Sequence, residues 1–186
     1  DEGQLGDGTT HDRFSLTPVA GVPDAVQLAL GGGSSCAVRR DGAVVCWGRG
    51  RPGGDGTAGP EAVAGLDGAA SIAIGGRHAC AVRADGSVRC WGANAEGQLG
   101  DGTTADHPTP VQPSLVGVQD IVLGGAHACA LLDDGSVACW GAIGFGKADH
   151  HLQPTGVPGV NDAKHVFAIG AASCATMTNG AFVCWG

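Results

Sequence analysis

The chain has 186 residues, 35 of them Gly, 8 of them Cys and none Tyr, with 43% hydrophobic and 15% charged residues. That glycine share is far above the usual ~7%, but it follows no Gly-X-Y period, and the apolar share speaks against both collagen and disorder. A formal net charge of -8 speaks against a phosphate backbone as partner, so no nucleic acid is expected.

In chain order, the first segment, 1–24, is a connector holding "GQLGDGTT" at 3–10 and a Pro18-Val19 step. A repeat core follows at 25–48, where "AVQLALGGGSSCAV" and "AVVCW" read as short strands around Asp41-Gly42. The connector 49–68 contains "RGRPGGDGTAGP", and the second core, 69–92, runs from "AASIAIGGRHACAV" to "SVRCW". Connector 93–117 restores "GQLGDGTT" at 97–104 with Pro110-Val111, ahead of the third core at 118–141. Connector 142–162 opens with "AIGFGKADHHLQP", and the last core, 163–186, closes on Trp185-Gly186. The uncharged stretch 165–186 has the length of a membrane span, but its Gly, Asn, Ser and Thr, and its alignment with the other cores, make it a hairpin; no membrane span is expected. The first cysteines stand at 36, 80, 129 and 174, giving steps of 44, 49 and 45 residues. A period in that range belongs to propeller blades or two-helix repeats, and the Gly, Pro and β-branched content excludes helices. One repeat domain, 1–186, is therefore expected.

Each core places Asp-Gly or Asn-Gly five and six residues after its first Cys, at Asp41-Gly42, Asp85-Gly86, Asp134-Gly135 and Asn179-Gly180. A three-residue hairpin loop with Gly in the left-handed position fits such a sequence. With Arg40-Asp41-Gly42 as the loop, Arg39 pairs with Ala43, Val38 with Val44, Ala37 with Val45 and Cys36 with Cys46. The cysteines then occupy a non-hydrogen-bonded pair, where Cα atoms are ~4.5 Å apart, within disulfide reach. The same count pairs Cys80 with Cys90, Cys129 with Cys139 and Cys174 with Cys184. Two other readings stand beside this one. The cysteines could be buried reduced thiols, or zinc ligands, although no C-x2-C pair exists. An even number, opposed in every unit, favours four disulfides and maturation in an oxidising, extracytoplasmic compartment.

The recurring order Gly-Gly-x-His-x-Cys-Ala, Asp-Gly-x-Val-x-Cys-Trp-Gly and Gly-Gln-Leu-Gly-Asp-Gly-Thr closely resembles the regulator of chromosome condensation repeat. The resemblance spans essentially the whole chain. It implies an all-β fold, a β-propeller with four-stranded antiparallel blades, seven in the usual member; four repeats are present here. The paired cysteines depart from the nuclear archetype and look like a secreted bacterial variant. The family also includes a propeller-shaped inhibitor that caps β-lactamases. The two chain ends are in phase, which permits a full ring, part of a seven-bladed ring, or an arc completed by another chain.

No nucleophile elbow, zinc-protease motif or phosphate loop is present, and neither a catalytic set nor a cofactor is expected. His78 and His127 precede the first Cys of their units by two residues, where Ser34 and Ala172 stand in the others, so they read as structural links between blades. "DGTT" reads as a turn in which Asp and Thr bond the local backbone. Cores agree while connectors differ, as expected when recognition is carried on loops over a rigid scaffold. The candidate binding residues are accordingly Arg49, Arg51, Phe145, Lys147, His150 and His151, for a protein or glycan ligand. An adhesive array joined through the in-phase ends is the alternative. Exchange activity on a small GTPase is remoter, because no unit carries the inserted wedge.

Overall fold

The computed structural model describes residues 2–49, 52, 56–144 and 150–186. Among them, 15 strands form four antiparallel sheets, and none of these described residues is helical. The first sheet holds β1 (Ala25–Gly31), β2 (Ser34–Arg39), β3 (Val44–Gly48) and β4 (Thr57–Ala62) in that order. The second holds β5 (Ala69–Ile74), β6 (His78–Arg83), β7 (Val88–Gly92) and β8 (His107–Val111). β9 (Val118–Leu123), β10 (His127–Leu132), β11 (Val137–Ala142) and β12 (His150–Gly156) make the third. β13 (Ala163–Ile169), β14 (Ala172–Met177) and β15 (Phe182–Trp185) make a three-stranded fourth. Among the described residues no helix is long and apolar enough to cross a membrane, and the uncharged stretch 165–186 holds β14, β15 and most of β13.

The hairpin register follows from the turn. Gly42 takes φ 81°, its N–H bonds the Arg39 carbonyl at 2.9 Å, and Arg39 N–H reaches the Ala43 carbonyl at 2.8 Å. Val38 then faces Val44 and Cys36 faces Cys46. The four disulfides are Cys36–Cys46, Cys80–Cys90, Cys129–Cys139 and Cys174–Cys184, with Cα separations of 4.0–4.1 Å.

Each sheet is a blade, and the blades stack through apolar faces. One core joins Cys36, Val38, Val44 and Cys46 of the first blade to Ile72, Ile74, Ala79, Ala81 and Trp91 of the second. The next joins Cys80, Val82, Val88 and Cys90 to Ile121, Leu123, Ala128, Ala130 and Trp140. A third joins Cys129, Leu131, Val137 and Cys139 to Val166, Ala175 and Trp185. Every blade thus has a trailing face, carrying its disulfide, and a leading face, carrying its Trp. The first strands pack on one another in succession, β1 on β5, β5 on β9 and β9 on β13, which makes them the inner strands. There the repeated glycines leave room for a neighbour. A Cβ on Gly75 would come within 2.5 Å of the Gly124 carbonyl and would also overlap the His78 ring, and one on Gly124 would come within 2.7 Å of the Gly170 carbonyl.

The equivalence of the four cores ends at the fourth blade. Phe182 stands where Val44, Val88 and Val137 are buried, yet it is exposed, and Trp185 is only partly covered. The positions differ because no further blade lies against the trailing face of the fourth.

Candidate functional site

In an antiparallel meander, the first and third connections leave one end of the sheet and the second leaves the other. The Asp-Gly hairpins therefore share an end with the links between blades, and that end is closed by backbone bonds. Ala69 N–H reaches the Gly42 carbonyl at 3.0 Å, Val118 N–H that of Gly86 at 3.2 Å, and Ala163 N–H that of Gly135 at 2.9 Å. Three equivalent bonds leave little variety for recognition there. The opposite end carries the Gly-Gly turns and the long connections between third and fourth strands, which differ between blades.

Of the candidate residues, Arg49, His150 and His151 are described, and all three lie at that second end of their sheets. Arg49 directly follows β3, is largely exposed, and meets Glu2 at 3.2 Å. His150 opens β12 and its Nδ1 lies 2.7 Å from Glu96 Oε2. His151 Nδ1 lies 3.2 Å from Thr155 Oγ1. Arg51, Phe145 and Lys147 lie outside the described residues. Glu96 comes from the connector 93–106 and His150 from the next blade, so this end brings two blades' connectors into contact. Among the described residues, no three His, Cys, Asp or Glu side chains come together as a metal site.

The "GQLGDGTT" segments do more than turn. As expected, Asp7 Oδ1 accepts from Thr9 N–H at 2.9 Å and Thr9 Oγ1 at 2.8 Å, and Asp101 repeats this on Thr103 at 3.0 and 2.9 Å. Bonds from Thr9, with the Arg13 guanidinium beside it, hold the Asp7 carboxyl down at about 2. Beyond the turn, the Gln4 carbonyl accepts from Trp47 Nε1 at 2.8 Å and the Gln98 carbonyl from Trp140 Nε1 at 2.9 Å. Gly6 and Gly100 lie on the same two indoles, where a Cβ would come within 2.6 and 2.8 Å of ring atoms. Asn94 braces the second copy, donating to the Thr103 carbonyl at 3.0 Å and accepting from Leu99 N–H at 2.9 Å. Trp91 and Trp185, whose preceding connectors lack Gln-Leu-Gly, have buried Nε1 atoms without a hydrogen-bond partner among the described residues. The segment is a lid on the indole of the blade that follows it. Its recurrence before two of four Trp residues was the signal for this role.

The two histidines run between blades. His127 Nε2 lies 2.8 Å from Ser173 Oγ in the fourth blade, and burial lowers its pKa. His78 is fully buried one blade earlier, and burial pushes its pKa from 6.5 down to about 4. The nearby backbone of His127 offsets this only in part, from outside hydrogen-bond geometry. The folded chain therefore refuses a proton that the unfolded chain accepts below about pH 6.5. Stability from neutral His78 is complete above that pH and falls as pH drops towards 4, by up to roughly 3 kcal/mol. Urea unfolding at pH 7 and pH 4 should show the loss, and His78→Gln should remove most of the difference. An equal pH dependence in both proteins would contradict it.

Models of the regulator of chromosome condensation (RCC1) repeat match residues 25–52, 69–98 and 118–146, and a second model of that repeat matches 85–131. No curated protein matches the chain. Among solved structures, it is similar to yeast RCC1 (Prp20), crystallised with Kap60, at 26% identity over 87% of this chain and 43% of that one, with a TM-score of 0.77. It is similar to human WBSCR16 at 23% identity, over 100% of this chain and 55% of that one, TM-score 0.83. The ectodomain of the Physcomitrella patens receptor kinase CR4 matches at 24% identity, over 95% of this chain and 44% of that one, TM-score 0.64. The chain thus spans about half the length of these three solved proteins.

Proposed function

Because the chain belongs to the regulator of chromosome condensation (RCC1) repeat family, we propose that it is a non-enzymatic recognition scaffold. Its ligand is a protein or a glycan, held by the connector end of the blades in an extracytoplasmic compartment. The observation that carries this reading is the asymmetry between the two ends of the sheets. One end is uniform and closed by the same backbone bond at each blade junction. The other presents segments that differ from blade to blade, with charged side chains at its surface. Four disulfides among the described residues, and no free cysteine there, fit an oxidising environment. Two neighbours support the ligand class and the setting: yeast Prp20 has binding properties towards Gsp1p and histones, and the CR4 match is a receptor ectodomain.

The test is a capture experiment from the secreted and surface fraction of the source cells. The bait is the immobilised chain, alongside a variant carrying Arg49→Ala, His150→Ala and His151→Ala. We expect the variant to melt within a few degrees of the parent and to lose at least tenfold in affinity for the captured ligand, since a few residues dominate an interface. Full retention of binding by the variant would move the site off the connector end.

A further inference from the structure

The fourth hairpin departs from the other three at one loop position. Asp41, Asp85 and Asp134 each precede a Gly, and Asn179 stands in their place before Gly180. The loop geometry is nevertheless the same. Oδ1 accepts from the N–H two residues on, from Ala43 at 3.0 Å, Ser87 at 3.0 Å, Ser136 at 2.9 Å and Ala181 at 2.8 Å. The Gly N–H donates to the carbonyl three residues back, at 2.9 Å in the first three hairpins and at 3.0 Å from Gly180 to Met177. The turn asks only a carbonyl oxygen of Asn179, and a carboxylate has one. Exposure of Asn179 belongs to the loop as well. Asp41, Asp85 and Asp134 are exposed too, although the next blade bonds to the Gly beside each of them.

An exposed Asn followed by Gly carries its own chemistry. The Gly180 backbone nitrogen, with no Cβ beside it to hinder approach, can attack Asn179 Cγ. The new N–Cγ bond closes a cyclic imide, and the side-chain amide leaves as ammonia with the Gly180 proton. Water then opens the imide. Opening at Cγ leaves aspartate, and opening at the main-chain carbonyl leaves isoaspartate, whose main chain runs on through Cβ and Cγ. One water enters and one ammonia departs.

The closed turn opposes the first step, because it engages both reacting groups. The Gly180 N–H is held by the Met177 carbonyl, and Oδ1 is held by the Ala181 N–H. Met177 N–H on the Ala181 carbonyl at 2.8 Å and the Cys174–Cys184 disulfide across the ladder keep the turn closed. We propose that Asn179 is a deamidation site, guarded by the closed hairpin and released when its disulfide is reduced. Only the open fraction reacts, so hairpin opening sets the rate. The two products then part. Aspartate restores the turn, as three hairpins of this chain already show, and adds one negative charge. Isoaspartate lengthens the main chain by an atom inside a tight loop, which moves Cys184 out of register with Cys174 and hinders the disulfide from re-forming. The three Asp loops react more slowly, because a carboxylate oxygen is a poorer leaving group than ammonia.

The test incubates the whole chain in two forms, oxidised and reduced-alkylated, at one mildly alkaline pH, before reduction and digestion. Trypsin cuts after Lys164, and in the peptide 165–186 Asn179 is the only side-chain amide. Mass spectrometry follows the exchange of amide for acid, and chromatography separates aspartate from isoaspartate. We expect deamidation at least about tenfold faster in the alkylated chain, with both products present. In that chain Gly180→Ala should slow the reaction, since the added methyl crowds the attacking nitrogen. Oxidised Asn179→Asp should form the same four disulfides and melt with the parent. Equal rates in the two forms, or an amide that stays intact in both, overturns the proposal, and so does an Asn179→Asp chain that loses its fourth disulfide.

Discussion

Reduced and alkylated, the chain should not refold. Each disulfide closes a loop of 11 residues, since its cysteines are 10 apart, and the chain-entropy estimate for such a loop is about 2.8 kcal/mol. Four of them contribute about 11 kcal/mol, comparable with the whole stability of an ordinary domain at roughly 5–15 kcal/mol. The first three hairpins also lend their cystines to the cores between blades, so reduction loosens packing and local structure together. Far-UV circular dichroism with and without reductant in denaturant, followed by dilution, should show β-structure only in the oxidised sample. Full recovery of the β-signal by the alkylated chain would mean that the apolar faces suffice alone.

Trp140→Ala should cost roughly 3–5 kcal/mol through the cavity it leaves, whereas Trp185→Ala should cost less than half as much. Trp140 is fully buried, bonds the Gln98 carbonyl at 2.9 Å and has Gly100 against its ring. Trp185 is part-exposed and its Nε1 has no partner among the described residues. Phenylalanine separates packing from the hydrogen bond: Trp140→Phe should cost about 1 kcal/mol more than Trp91→Phe, which loses no such bond. Urea unfolding of the four variants checks this ranking. Equal losses at Trp140 and Trp185 would show that the connector lid adds nothing.

The parts of the fold that depend on neighbours in sequence were legible in it. An Asp-Gly five residues after Cys36 fixes the turn, the turn fixes the register, and the register places Cys46 opposite. The fourth strands were not legible. "TAGPEA" of β4 and "HPTPV" of β8 carry proline and little apolar alternation, and only their edge position, with one side unpaired, tolerates this. Nor could the lid be read locally, since the Gln4 carbonyl meets an indole 43 residues away. The exposure of Phe182 was hidden for a related reason. Phe182 matches three buried valines by pattern, and exposure is decided by what lies beyond the blade.

Of the candidate binding residues, the connectors' variability pointed to a region, and the meander puts Arg49, His150 and His151 at one end of it. The contacts of Arg49 with Glu2 and of His150 with Glu96 depend on which connectors touch, which no single repeat reveals.

Peptide mapping of the native, unreduced protein tests most directly the claim that every repeat is a separately stapled blade. Proteolysis and mass spectrometry without reductant should return four linked pairs, Cys36–Cys46, Cys80–Cys90, Cys129–Cys139 and Cys174–Cys184, and no free thiol. A cross-repeat pair, or cysteines that react with alkylating agent in the unreduced, denatured chain, would contradict the register on which the blades are built.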